Sequence, residues 1–138
     1  VNHIGKFVLQ NDHRPTNVNP SDLAAFAWPI TALASILHRA TGVILFIGVG
    51  FGLYALDTSL SSEAGFEALK GMMTSPFGKF VTWGLLAALG YHFVAGIKHL
   101  IMDFGVGETL EGSKFASRVT LLFSAILAAL AAVWVIQG

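Results

Sequence analysis

Three stretches of this chain carry no charged side chain: residues 40–56, 80–97 and 119–138, of 17, 18 and 20 residues. An α-helix needs about 20 mostly apolar residues to cross a bilayer, with a working range of roughly 17–25. All three stretches reach that range once their flanks are included. The first extends further back, because residues 23–37 are also uncharged and only His38 and Arg39 interrupt the run. The reading is an all-α membrane protein with three transmembrane helices, over about residues 27–57, 77–105 and 114–137. Pro29 suits a first helical turn, where its missing N–H costs nothing. Gly105 and Gly107 suit the end of the second helix.

Composition agrees with a lipid-facing chain. Hydrophobic residues make up 54% of the 138 positions and charged residues 12%, about half the roughly 25% usual in soluble domains. So short a chain has too little interior to hide that much apolar surface from water. Eight basic residues balance eight acidic ones, which excludes a basic nucleic-acid footprint. With no Cys, thiolate zinc sites and iron–sulfur ligation by this chain are excluded.

Residues 1–26 read as a polar lead-in, broken by Pro15 and Pro20. It lacks the basic-then-apolar order of a signal peptide. Residues 27–138 form the membrane unit. Between its first two helices, Phe66, Leu69 and Met73 recur at helical spacing, the pattern of a short helix lying on the membrane surface. Lys6, Arg14, Lys98, Lys114 and Arg118 fall on one side of the membrane; Lys70 and Lys79 fall on the other. The excess places the N-terminus on the cytoplasmic or matrix side.

Ionisable groups inside a membrane segment mark function. On the first helix, Thr31, Ser35, His38, Arg39 and Gly42 share an arc of about 100°. Arg39 stays charged and calls for an anion or a polar ligand oxygen, and the Ser35 hydroxyl one turn away can donate or accept beside it. The competing reading has Arg39 snorkelling to the surface. On the second helix, His92, Gly96, His99 and Asp103 share a face. His92 lies within the uncharged stretch, where a neutral imidazole can bond a neighbouring helix, relay protons or ligate a metal. No carboxylate or thiolate lies at its depth to complete a zinc or copper site. A haem held by two imidazoles needs a second ligand: His38 within the chain, or a residue of another polypeptide. Three thin helices enclose a haem poorly, which favours a partner.

Two motifs then resemble a known family. Ser35-Ile36-Leu37-His38-Arg39-Ala40-Thr41-Gly42 on one helix and His92-Phe93-Val94-Ala95-Gly96-Ile97-Lys98-His99-Leu100-Ile101-Met102-Asp103-Phe104-Gly105 on the next are similar to the cytochrome b556-type membrane anchors of succinate dehydrogenase. The resemblance runs from about Pro29 to the C-terminus. The Thr58-Ser59-Leu60-Ser61-Ser62-Glu63 stretch looks like the bacterial form. Lys98 stands where the family usually has Arg, which keeps the charge and loses the planar fork. An Arg14-Pro15 pair resembles the family's N-terminal Arg-Pro but lies further from Ser35.

The resemblance implies a three-helix contribution to a heteromeric bundle around haem b. His92 would be one axial ligand of the haem iron, and the other would come from a small second anchor subunit. Ser35 and Arg39 would line the ubiquinone-reduction site. His38, Arg39 and His99 would lie near the haem propionates. Implied partners are the second anchor, an iron–sulfur subunit and, through the complex, a flavoprotein, in a bacterial cytoplasmic membrane or, alternatively, the mitochondrial inner membrane. Succinate oxidation itself would belong to the partners. Competing readings are a fumarate reductase-type anchor, a non-redox scaffold in which His92 and Arg39 only bridge helices, and a proton-coupled transporter subunit using His92 and Asp103.

Overall fold

A computed structural model describes residues 29–138, and every described segment of regular structure is helical: α1 (Ile30–Ser61), α2 (Glu63–Thr74), α3 (Pro76–Asp103) and α4 (Leu110–Gln137). The lead-in of residues 1–26 and the first residues expected in the first span lie outside the described residues. Helices α1, α3 and α4 are each long and apolar enough to cross a membrane. At 1.5 Å per residue, the 32 residues of α1 extend about 48 Å, against about 30 Å of hydrocarbon, so α1 reaches beyond the apolar layer.

Local chemistry sets the ends. Pro29, extended at φ −60° and ψ 146°, precedes the first helical residue of α1, one place earlier than its expected position in the first turn. At the far end, α1 runs past Asp57. The hydroxyls of Ser59 and Ser61 donate to the carbonyls of Leu56 and Thr58, both at 2.8 Å; the Thr58 carbonyl is one of the last four, which a helix end leaves open. Ser62 then turns extended and caps α2, its hydroxyl accepting from the Gly65 N–H at 2.9 Å. Ser75 caps α3 in the same way, with Pro76 in the first turn. Thr109 caps α4 at 3.1 Å to the Gly112 N–H. That cap starts α4 four residues before the expected residue 114, and Glu111 in its first turn is favoured there by the helix dipole. The link from α3 to α4 turns on Gly105 and Gly107, whose φ values of 88° and 74° a side chain would resist.

His38 meets His92 and Gly48 meets Leu85, so α1 and α3 run antiparallel. Trp83 donates to the Ala128 carbonyl at 2.9 Å and Lys98 to the Ser117 hydroxyl at 3.4 Å, so α3 and α4 are antiparallel too. The seams are made of small or polar residues: Ala34, Ala88, Ala95, Ser117, Thr120 and Ser124 are buried, together with Tyr91 and Val135. Large apolar side chains point outward, as with Phe46 at 83% exposure. In lipid this distribution is the stable one, since close approach of helices supplies the packing and outward apolar groups meet acyl chains.

Candidate functional site

About two turns into α1 on the α1–α3 seam, the imidazoles of His38 and His92 stack face to face, with ring centres 4.4 Å apart and planes 30° from parallel. Nδ1 of His92 lies 3.1 Å from the backbone carbonyl of His38 and 3.2 Å from the Thr41 hydroxyl oxygen. A carbonyl only accepts, so the proton of a neutral His92 ring sits on Nδ1 and donates to His38. That leaves Nε2 with its lone pair free, and no hydrogen bond to Nε2 forms among the described residues. An imidazole held this way, one nitrogen anchored on a backbone carbonyl and the other bare, is prepared to ligate a metal.

The two stacked rings cannot serve opposite sides of the same metal ion. Metal–imidazole bonds of about 2 Å on each side, plus the two ring radii, would separate the ring centres far beyond the observed contact. The close approach of α1 to this ring depends on Gly42. A Cβ there would stand 3.1 Å from Cε1 of His92. Gly96, on the opposite wall, lies beside the His38 ring, and a Cβ at that position would stand 3.9 Å from Nε2 of His38. One turn nearer the α1 N-terminus, the buried Tyr91 hydroxyl donates to the Ala34 carbonyl at 2.5 Å and ties α3 to α1.

The rest of the site lies along one edge of this helix pair. Around α1, Ala34 and Thr41 turn toward α3, while Ser35 and Arg39 lie about 60° and 100° to the other side of His38. Both are exposed. Around α3, Gly96, Leu89 and Phe93 fall on the corresponding side of His92, and Lys98, which reaches α4, lies about 120° the other way. Ser35, Arg39, Leu89 and Phe93 therefore border an uncovered edge on the side away from α4. No acid pairs with Arg39 among the described residues. His99, on the His92 face, has Nε2 3.7 Å from Oδ2 of Asp103, with both side chains more than half exposed. The structure thus brings His38, His92, Gly42 and Gly96 into contact or near contact, sets Ser35 and Arg39 on the rim, and leaves His99 with Asp103 toward the end of α3.

Two residues here were not singled out from the sequence. Thr41 and Tyr91 each sit beside a histidine of the pair, and a hydroxyl-bearing residue inside a charge-free stretch was the available signal. Among the described residues, no three His, Asp or Glu side chains gather as a metal cluster. A surface concavity of about 460 Å³ at the other end of the bundle, lined by Lys79, Thr82, Trp134 and Gln137 among others, contains neither imidazole of the pair.

Residues 10–131 match the family model described as "Succinate dehydrogenase/Fumarate reductase transmembrane subunit". The chain is 32% identical to the succinate dehydrogenase cytochrome b556 subunit of Coxiella burnetii, over 91% of this chain and 98% of that one. It is 31% identical to the protein of the same name from Paracoccus denitrificans, over 78% and 83% of the two chains. The mitochondrial cytochrome b560 subunit of Sus scrofa is 32% identical over 75% of this chain and 63% of its own. With its three membrane-length helices and a family match across most of its length, the chain belongs to the succinate dehydrogenase/fumarate reductase transmembrane subunits.

Proposed function

We propose that this chain is the haem b- and ubiquinone-binding anchor of a succinate:ubiquinone oxidoreductase, passing electrons from an iron–sulfur subunit to quinone. The observation that carries the reading is the His92 imidazole, anchored through Nδ1 with Nε2 bare in the middle of a membrane helix. A porphyrin would bring four nitrogen ligands of its own, so it would ask this chain for only a single imidazole such as His92. That requirement fits a site where no cluster of three ligands forms among the described residues. The glycines at 42 and 96 keep the walls beside the rings free of side chains. Because His38 is stacked on His92, any second protein ligand would come from another polypeptide, which we take to be the small second anchor subunit. That subunit covers the edge carrying Ser35, Arg39, Leu89 and Phe93.

When bound, the haem supplies a one-electron carrier. This chain's residues do the rest. His92 would hold the iron through its bare Nε2. Arg39 would supply positive charge for the propionates, and His38 and His99 would supply hydrogen-bonding groups. Ser35 and Arg39, four residues apart on one helix, stand about 6 Å from each other. A quinone headgroup at the rim meets both: the hydroxyl donates to a carbonyl oxygen, and the guanidinium offsets the negative charge that grows there as electrons arrive. Protons follow from the water side, and Ser35 is the nearest hydroxyl to hand them on. An uncovered Arg39 facing acyl chains would be costly, and a ligand and partner on this edge remove that cost. The partners include the flavoprotein that oxidises succinate, and the N-terminus faces the cytoplasm of a bacterium.

The test is His92→Leu, which keeps a good helix former. The reduced-minus-oxidised spectrum of the purified complex loses or shifts its b-type band, while His38→Leu keeps both axial bonds. An unchanged spectrum in His92→Leu refutes the ligand assignment.

A further inference from the structure

We propose that Thr41 is a positioning residue for the haem ligand His92, acting through its hydroxyl as a second acceptor for the Nδ1 proton. The inference rests on the reading that His92 carries the haem iron. Oγ1 of Thr41 lies 2.8 Å from the Leu37 carbonyl and 3.0 Å from the His38 carbonyl. Both carbonyls only accept, so the hydroxyl proton is committed to one of them. The lone pairs of Oγ1 are then what faces Nδ1 of His92 at 3.2 Å. The same Nδ1 is 3.1 Å from the His38 carbonyl. One N–H thus lies between two acceptors, both belonging to a single turn of α1.

This arrangement does two things that the carbonyl alone does less well. Two acceptors within reach of one N–H hold the ring against rotation, which fixes where the Nε2 lone pair points. They also draw the Nδ1 proton away from the ring, which raises the donor strength of Nε2. A stronger donor favours ferric over ferrous iron and lowers the reduction potential. The residue type suits the task, since a β-branched side chain in a helix has few χ1 choices and its back-bond to Leu37 holds the hydroxyl in place.

Thr41→Val keeps the shape and removes the acceptor; Thr41→Ser keeps the acceptor and removes a methyl. In the assembled complex, Thr41→Val raises the haem midpoint potential by several-fold in the ferrous-over-ferric ratio, a tenfold change being about 59 mV for one electron. It also weakens haem retention by about tenfold, at the low end of the effect of losing an outer-shell partner. Thr41→Ser restores the parental potential. A Thr41→Val complex with unchanged potential and haem content overturns the inference. So does a Thr41→Ser complex that shifts as far as Thr41→Val, because packing and not the hydroxyl would then be responsible. His92→Leu, measured alongside, separates the two levels. If it leaves the haem unaltered, the ligand assignment itself fails. If it alters the haem while Thr41→Val does not, only the role of Thr41 fails.

Discussion

Gly42→Ala places one methyl group against the His92 ring, the proposed haem ligand. The added Cβ would stand 3.1 Å from Cε1 and 3.6 Å from Nδ1 of His92, whereas carbon–carbon contacts are most favourable at about 3.5–4.0 Å. The ring must therefore retreat by about half an ångström. Its Nδ1 bond to the His38 carbonyl is already 3.1 Å, close to the ~3.2 Å limit of a good N–H···O bond, so retreat breaks it. Overpacking costs about 1–3 kcal/mol and the lost hydrogen bond about 0.5–1.5 kcal/mol. The better helix propensity of Ala returns up to about 1 kcal/mol. The net cost of about 2 kcal/mol is roughly a 30-fold loosening of the bound geometry. Gly48→Ala is the matched control on the same seam. Its Cβ would meet Cδ2 of Leu85 at 2.8 Å, the free end of a side chain that can rotate aside. Haem per complex, measured by visible spectroscopy after purification, falls in Gly42→Ala and holds in Gly48→Ala. Full haem in the first variant, or equal loss in both, would refute the argument that Gly42 is kept for the ring.

Tyr91→Phe removes the bond from α3 to the Ala34 carbonyl and costs about 0.6 kcal/mol, the mean for hydrogen bonds between membrane helices, and no more than about 1.7 kcal/mol; detergent-unfolding midpoints of the complex should drop, with the haem band kept. In sealed inside-out vesicles, where the cytoplasmic face is outward, added protease cleaves near Arg14. Cleavage there in right-side-out vesicles instead would reverse the assigned topology.

Much of the bundle was legible in the sequence because lipid imposes a simple rule: a helix that crosses it shows as a long uncharged run. The ends were less legible. The first helix continues to Ser61, where the Ser61 hydroxyl bonds the Thr58 carbonyl, and the fourth begins at Leu110 because Thr109 caps it. Charge counting detects neither effect. The short helix between the first two spans showed through Phe66, Leu69 and Met73 and was found at Glu63–Thr74. At the site, helical spacing put His92, Gly96 and His99 on one face and Ser35 near Arg39. Spacing within a helix says nothing about the rotation of one helix against another, so the stack of His38 on His92 was not foreseeable. The anchoring carbonyl was hidden for a different reason: backbone groups carry no signature in the sequence. Thr41 stood inside the motif without a role, since its contact runs to another helix.

The central claim is that Ser35 and Arg39 meet quinone at the rim of this helix pair. Two rates measured per assembled complex test it: succinate-driven quinone reduction, and succinate oxidation by an artificial acceptor that takes electrons before the membrane. Ser35→Ala slows the first by the loss of one hydrogen bond, worth about 0.5–1.5 kcal/mol, and Arg39→Leu slows it more, because a fixed charge is lost. Neither changes the second rate. If Arg39 served only to anchor the helix at the membrane surface, both rates would fall together with assembly, and parallel loss in the two assays, or undiminished quinone reduction, would contradict the account.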